Sequence, residues 1–332
     1  MAENKIDFVV TWVNGNDPEW IAEKAKYDPK MKDNSATANR FRDWELMKYW
    51  FRGVEKFAPW VNNVYFITCG HYPEWLNLKN PKLRFVKHTD YIPRELLPTF
   101  NGNVIEMHIN RIKDLEERFV LFNDDIFLIA DTVAEDFFKD DKPCETALLG
   151  AISPTDYADI FPHILVNNSA IINKHFIKKE VLKKCKKQFF SLRYGREGIR
   201  NILLKPFVYF SDFRNPHLAV SHLKSNFDEL WEKEHEAMYN GSKSRFRSKD
   251  DLNHWLFQDW NICKGNIVPR SPKFGKKFEL GEDKGVIEYI IQQKGKMICV
   301  NDSSDKFDFE KTKIELHDAF EKILPDKSSF EA

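Results

Sequence analysis

Residues 118–129 read RFVLFNDDIFLI, two short apolar runs rich in β-forming residues around a polar triplet. Continuous apolarity over a few residues suits a strand covered on both faces. Charged carboxylates seldom sit inside such a core unless something pairs with them. Asn123-Asp124-Asp125 is therefore either a hairpin turn, where Asn-Asp is ordinary chemistry, or a strand end that delivers acids to a site.

Other stretches repeat the pattern. Ile6–Trp12 is β-rich and breaks at NGNDP (14–18), a strong turn signal. In RFRDWELMKYWFRGVEKFAPW (40–60), Leu46, Tyr49, Trp50, Gly53, Val54 and Phe57 share one helical face, and Pro59 stops it. Strands are expected at 61–70 and 81–88, a helix at 101–112, and then the strand at 119–122. Such alternation predicts an α/β layer with parallel strands, whose ligands bind beyond the carboxyl ends of the strands. After about residue 150 polar helices dominate, until KGKMICVNDS (294–303) returns a late strand. The expected organisation is an α/β half over 1–150, a more helical half over 151–325 with its last strand near 297–302, and a loose tail over 326–332.

Composition narrows the classes. Lys plus Arg and Asp plus Glu both number 51, so the chain lacks the basic excess usual in nucleic-acid binders. With 28 Phe and 9 Trp, disorder over most of the length is not expected. Five scattered cysteines without a CxxC pair support neither a zinc knuckle nor a disulfide framework, and fit a reducing compartment. The N-terminus has no charged-then-apolar leader, and no apolar run approaches the ~20 residues that span a bilayer. The expectation is a cytoplasmic chain. The basic stretch KHFIKKEVLKKCKKQFFSLR (174–193) reads first as a solvated helix, with a membrane-binding face as the alternative.

Three strand ends carry Asn or Asp: Asn14 with Asp17, Asn123-Asp124-Asp125, and Asn301-Asp302. Oxygen ligands of this kind suit Mg2+ or Mn2+, which in turn coordinate phosphates. Turn and metal readings of the acid pair stay open at this point. His217 and His222 are five apart, not the i, i+4 spacing of a helical zinc pair, and HExxH is absent. Arg245 and Arg247 flank Phe246, so an extended backbone would point both guanidinium groups to one side, where they match phosphate oxygens. Arg40 and Arg42 repeat the arrangement, and solvated arginines are the plain alternative in both places.

Taken together and in order, these stretches resemble the Stealth family of sugar-phosphate transferases. IDFVVTWVNGNDPEW looks like its first block; RFRDWELMKYWFRGVEKFAPWVNNVYFITCG, PTFNGNVIEMHINRI and FVLFNDDIFLI resemble its second. NPHLAVSHLKSNFDELW with SRFRSKDD resembles the third, and ICVNDS the fourth. The resemblance implies a Rossmann-like, glycosyltransferase-A-like mixed sheet flanked by helices. It also implies transfer of a hexose-1-phosphate from a nucleotide sugar (UDP-GlcNAc or similar) to a sugar hydroxyl, with release of a nucleoside monophosphate. Capsule or other surface polysaccharide is the expected setting, with an oligosaccharide or lipid-linked glycan as acceptor. Peripheral contact with the inner membrane face goes with that setting.

On that reading Asp124 and Asp125 hold a metal and a diphosphate with Asn123 in support, and Asp302 is a reserve metal ligand or base. Arg245 and Arg247 clamp phosphate oxygens, with Arg40 or Arg42 opposite. Asn14, Gly15 and Asp17 contact the nucleotide or its diphosphate, and Asn101 and His222 are further substrate contacts. His217 is the candidate general base, since its ordinary pKa lies near working pH; a carboxylate base is the alternative. A metal-dependent glycosyltransferase releasing UDP, or a carbohydrate-binding protein without catalysis, are the rival functions.

Overall fold

The computed structural model describes residues 5–28, 42–154, 156–302 and 307–332. A five-stranded sheet organises them. Its strands are β1 (Asp7–Thr11), β2 (Val64–Thr68), β3 (Leu83–Lys87), β4 (Arg118–Phe122) and β6 (Val220–Leu223), in the order β6-β4-β1-β2-β3. The first four are mutually parallel, and β6 is antiparallel to β4. Both faces of the central strands are covered. Phe8, Val10, Phe66, Val120 and Phe122 face one apolar layer, while Val9, Tyr65, Ile67, Phe119 and Leu121 face the other. This two-sided burial is why the strands read as unbroken apolar runs.

Beside it, β5 (Ile126–Leu128) pairs antiparallel with β8 (Met297–Asn301), which pairs in parallel with β7 (Gly275–Glu279). The first apolar layer holds α2 (Met47–Phe57) and α10 (Phe309–Ile323). Gly53 lets α2 lie close to β5: a Cβ there would sit 3.0 Å from the Leu128 carbonyl oxygen. The second layer holds α3 (Gly102–Met107), α8 (Lys224–Lys233) and α9 (Trp255–Lys264). Helix α1 (Pro18–Tyr27) follows β1. Helices α4 (Phe161–His175), α5 (Lys178–Lys184), α6 (Lys186–Phe189) and α7 (Ile199–Leu204) open the second half.

The mixed α/β fold with a more helical second half is as expected, with four local corrections. Helix α2 starts only at Met47, because Glu45 takes a left-handed backbone (φ 54°). The expected helix at 101–112 stops at Met107 and ends in a 3-10 turn over Ile109–Arg111. The change of texture near residue 150 is no structural break, since β6 closes one edge of the main sheet. Nor is the C-terminus loose. Phe330 is buried with its ring 5.1 Å from Phe51, and Glu331 accepts from Arg52 Nε at 2.9 Å.

Candidate active site

The carboxyl ends of β1, β4 and β8 meet at one cleft of about 620 Å³. Trp12 and Val13 follow β1, Asn123–Asp125 follow β4, and Val300–Asp302 end or follow β8; all line it. The triplet is both turn and site. Ile126 N donates to Asn123 O (3.2 Å) and Val300 N to Asp125 O (2.8 Å), so the turn carries the chain from one sheet to the other while aiming its acids into the cleft.

Asp124 is reachable by solvent, yet it stands within the cleft walls. Desolvation there, with Asp125 beside it second, raises its carboxyl to about 7. Asp125 is half-buried; its Oδ2 lies 3.9 Å from His217 Nε2 and accepts from Cys299 Sγ at 3.3 Å. Its Oδ1 is buried with no hydrogen-bond partner. Asp125, His217 and Cys299 bring donor atoms within 4.8 Å of one another. Burial pushes the Cys299 thiol well above its ordinary range, so it remains a proton donor to Asp125.

His217 is held in a left-handed backbone conformation (φ 53°), unusual for a residue with a Cβ. A relay of amides fixes it there. His217 N donates to Asn215 Oδ1 (2.7 Å), Asn215 Nδ2 to Gln258 Oε1 (2.8 Å), and Gln258 Nε2 to Glu145 Oε2 (2.8 Å). Arg270 pairs with the same Glu145 carboxylate at 3.3 Å. Desolvation holds the imidazole below its ordinary pKa, opposed by Asp125. It is neutral at neutral pH, the state that accepts a proton.

Two further groups support the triplet from below. Glu106 Oε1 accepts from Asn123 Nδ2 (3.1 Å), and its Oε2 lies 3.8 Å from His254 Nε2. Desolvation raises Glu106 to about 7, against the pull of Arg247. His254 in turn contacts His222, Nδ1 to Nε2, at 3.1 Å.

The paired arginines separate. Arg247 lines the cleft, whereas Arg245 turns to the other side, its guanidinium 4.8 Å from the Tyr27 ring and Nη2 donating to Leu97 O at 3.5 Å. The segment bends at Arg245–Phe246 rather than staying extended, and Phe246 stacks on Phe100. Arg42 also lines the cleft, 3.7 Å from Asp302 Oδ2, which accepts from Trp44 Nε1 at 3.2 Å. Arg40 lies outside the described residues.

At the end of β1, Asp17 caps α1 by accepting from Trp20 N (2.8 Å), and Asn14 N donates to His71 Nε2 (2.9 Å). Asn14, Gly15 and Asp17 are beside the cleft-lining Trp12 and Val13 without being in its lining themselves. Two more of the expected residues do not line the cleft. Asn101 is fully buried, and its side-chain amide donates to Asp251 Oδ2 (2.8 Å) and to the carbonyls of Ser244 and Phe246, tying α3 to the Arg245 loop. His222 is buried between Phe119 and Phe227 on β6 and reaches no cleft surface.

Asp43, Asp159, Lys277 and Glu279 also line the cleft, and none stood out in the sequence. For Lys277 and Glu279, the i, i+2 spacing on a strand was the available signal. A second groove of about 380 Å³, beside Val54, Lys82 and Phe330, gathers no such set of groups.

Residues 4–32 match the model described as Stealth protein CR1, conserved region 1, and residues 40–145 that of CR2, conserved region 2. A capsular polysaccharide phosphotransferase WcwK of Streptococcus pneumoniae is 44% identical over 330 residues, 98% of each chain. The chain belongs to the Stealth family. Exopolysaccharide phosphotransferase cps2G of Lactiplantibacillus plantarum is 39% identical over 98% of this chain and 96% of its own. Receptor polysaccharide phosphotransferase WefC of Streptococcus gordonii is 40% identical, over 98% of this chain and 99% of its own. This Stealth protein is an enzyme, a sugar-phosphate transferase, which removes the non-catalytic carbohydrate-binding alternative.

Proposed function

We propose that this Stealth enzyme moves a hexose-1-phosphate from a nucleotide sugar of the UDP-GlcNAc class to a hydroxyl of a growing surface polysaccharide. The observation that carries the reading is one cleft lined by an acid pair, a neutral histidine and two arginines, Arg42 and Arg247. Its volume is right for a nucleotide sugar. The relatives' names, each a polysaccharide phosphotransferase, support the setting.

The acceptor hydroxyl attacks the sugar-proximal phosphorus. A phosphorus–oxygen bond forms, the bond to the nucleotide's own phosphate breaks, and a nucleoside monophosphate leaves. His217 Nε2 takes the acceptor proton. Asp125, at 3.9 Å, steadies the imidazolium that results. Arg247 and Arg42 neutralise charge on the diphosphate, since positioning and electrostatics supply most of phosphoryl-transfer catalysis.

Mg2+ or Mn2+ suits the acid pair. Asp125 Oδ1 is buried and lacks a hydrogen bond, and Asp124 is raised by desolvation and by its neighbour, both marks of carboxylates missing a counter-charge. Asp124 and Asp125 would hold the ion. When bound, it neutralises the diphosphate and the leaving group. Asp302, engaged by Trp44 and Arg42, serves better to hold Arg42 than as a ligand.

The test is product identity. Purified enzyme with a UDP-sugar, Mg2+ or Mn2+ and an oligosaccharide or lipid-linked acceptor should release UMP and form a phosphodiester. Release of UDP would instead make it a glycosyltransferase and overturn the reading.

A further inference from the structure

The basic stretch at 174–193 continues into a surface that a water-facing protein has little reason to build. Between residues 174 and 209 there are eleven Lys or Arg against two Glu, in a chain whose net charge is zero. The same stretch carries a cluster of exposed apolar side chains. Helix α7 presents Ile199, Ile202 and Leu203 outward, at the i, i+3, i+4 spacing of one helical face. The next turn presents Phe207, Val208 and Tyr209, and Leu192 just before α7 is 97% exposed.

The amphipathicity of α7 is inverted. The residue it buries is polar: Asn201 is fully enclosed, donating to the carbonyls of Ala147 and Phe189 and accepting from Leu149 N. Ile199, Ile202 and Leu203 are left outside, while Leu204 packs partly against the second apolar layer. The following turn is held in place rather than loose, because the buried Lys178 Nζ donates to Leu204 O (2.7 Å) and Tyr209 O (3.2 Å). In the same stretch the side chains of Lys179, Lys183, Lys184, Lys186, Lys187 and Lys205 are exposed.

We propose that residues 177–209 form a docking face for an anionic lipid bilayer, with the apolar side chains of α7 and the 207–209 turn seated at the headgroup–acyl boundary. Exposed apolar groups and exposed lysines carried by one stretch of chain match such an interface in both chemistry and charge. A second copy of the chain fits poorly, because a two-fold contact would press the same basic patch against itself. Helix α4 joins this face to the chemistry. Its first residue, Phe161, lines the cleft, and its last, His175, opens the basic stretch, about 22 Å along the axis at 1.5 Å per residue.

The test is flotation of the full chain with vesicles of phosphatidylcholine, with and without phosphatidylglycerol, at low and high salt. Binding is expected to the anionic vesicles and to weaken as salt rises. Replacing Lys183, Lys184, Lys186 and Lys187 together by Gln should weaken it by about 10²–10³-fold, at about fivefold per lysine. L203Q with F207S should weaken it independently. All six side chains except that of Leu203 and Phe207 are charged surface groups, and unchanged melting temperatures would show the variants folded.

Absence of flotation at low salt, equal binding to neutral vesicles, or wild-type binding by both variants would overturn the proposal. So would a concentration-dependent dimer dispersed by L203Q with F207S, which would assign the face to a second copy. The readout is binding alone, so its failure leaves the sugar-phosphate reaction untouched.

Discussion

Asn215 never enters the proposed reaction, yet its loss should cost most of the activity. It is a positioning residue. Its side chain accepts from His217 N at 2.7 Å and donates to Gln258 Oε1 at 2.8 Å, and these bonds hold His217 at φ 53°. A non-glycine residue in that region stores about 1–3 kcal/mol, kept only while its surroundings over-determine it. Asn215→Ala removes two hydrogen bonds worth about 1 kcal/mol each and leaves the buried Gln258 carbonyl oxygen unmet. Global stability should therefore fall by about 2–3 kcal/mol. The backbone at His217 is then free to leave the left-handed region, carrying Nε2 away from Asp125. Misplacement on the order of 1 Å at a reacting group costs about 10²-fold in kcat. Asn215→Asp keeps an acceptor for His217 N while losing the donor to Gln258, and should fall between wild type and alanine. Steady-state kcat and KM, with urea unfolding of each variant, make the measurement. If Asn215→Ala lost the predicted stability but kept kcat within about twofold of wild type, the imidazole would not depend on this mount and the argument would fail.

Asp124→Asn and Asp125→Asn should each lower kcat by about 10²-fold or more without lowering the melting temperature, since each substitution relieves like-charge repulsion in the folded state; a folded variant with near wild-type turnover would remove that residue from the site. Arg247→Ala should reduce kcat/KM far more than Arg245→Ala, whose main loss should be stability because Arg245 packs on Tyr27 and binds Leu97 O; equal kinetic defects would argue that both reach the diphosphate. Phe330→Ala should cost about 3 kcal/mol in urea unfolding, as for other buried phenylalanines, and a change under about 1 kcal/mol would mean the C-terminus is held by its polar contacts alone. Glu331 is pulled toward a higher pKa by desolvation but held below its ordinary value by Arg52 and Ser328. A lowered carboxylate stabilises above its unfolded pKa of about 4.3 and loses that contribution as pH falls through the folded value. Stability measured against pH should therefore decline less steeply below about pH 4 in Glu331→Gln than in wild type.

What could be read from the sequence, and what could not, follows from the distance over which each signal acts. The strands announced themselves because burial on both faces leaves an unbroken apolar run, and the acids at 124–125 because nothing else explains charge between two such runs. Their dual role was not decidable locally. It takes Val300 N, donating to Asp125 O from a strand 175 residues on, to show that the turn joins two sheets. Glu106 was hidden for the same reason, since it meets Asn123 only when the fold brings α3 to the end of β4. The arginine pair separated because a bend at Arg245–Phe246 replaced the extended backbone on which the shared-face expectation rested.

The two histidines make the point most sharply. His217 and His222 carry the same imidazole and lie in one short stretch, yet one sits in the cleft and the other in the core. His222 falls inside β6, where pairing with β4 sets it opposite Phe119 and packs its ring among aromatics. Desolvation there, with His254 second, drives its pKa well below the ordinary value, so it stays neutral and its hydrogen bonding is spent on His254. His217 lies before the strand begins, after Pro216, where the chain is free to take the left-handed turn that swings the ring toward Asp125. A base must be desolvated enough to remain neutral and open enough to reach a substrate. His217, half-exposed at the cleft and opposed by Asp125, meets both conditions, and His222 meets only the first.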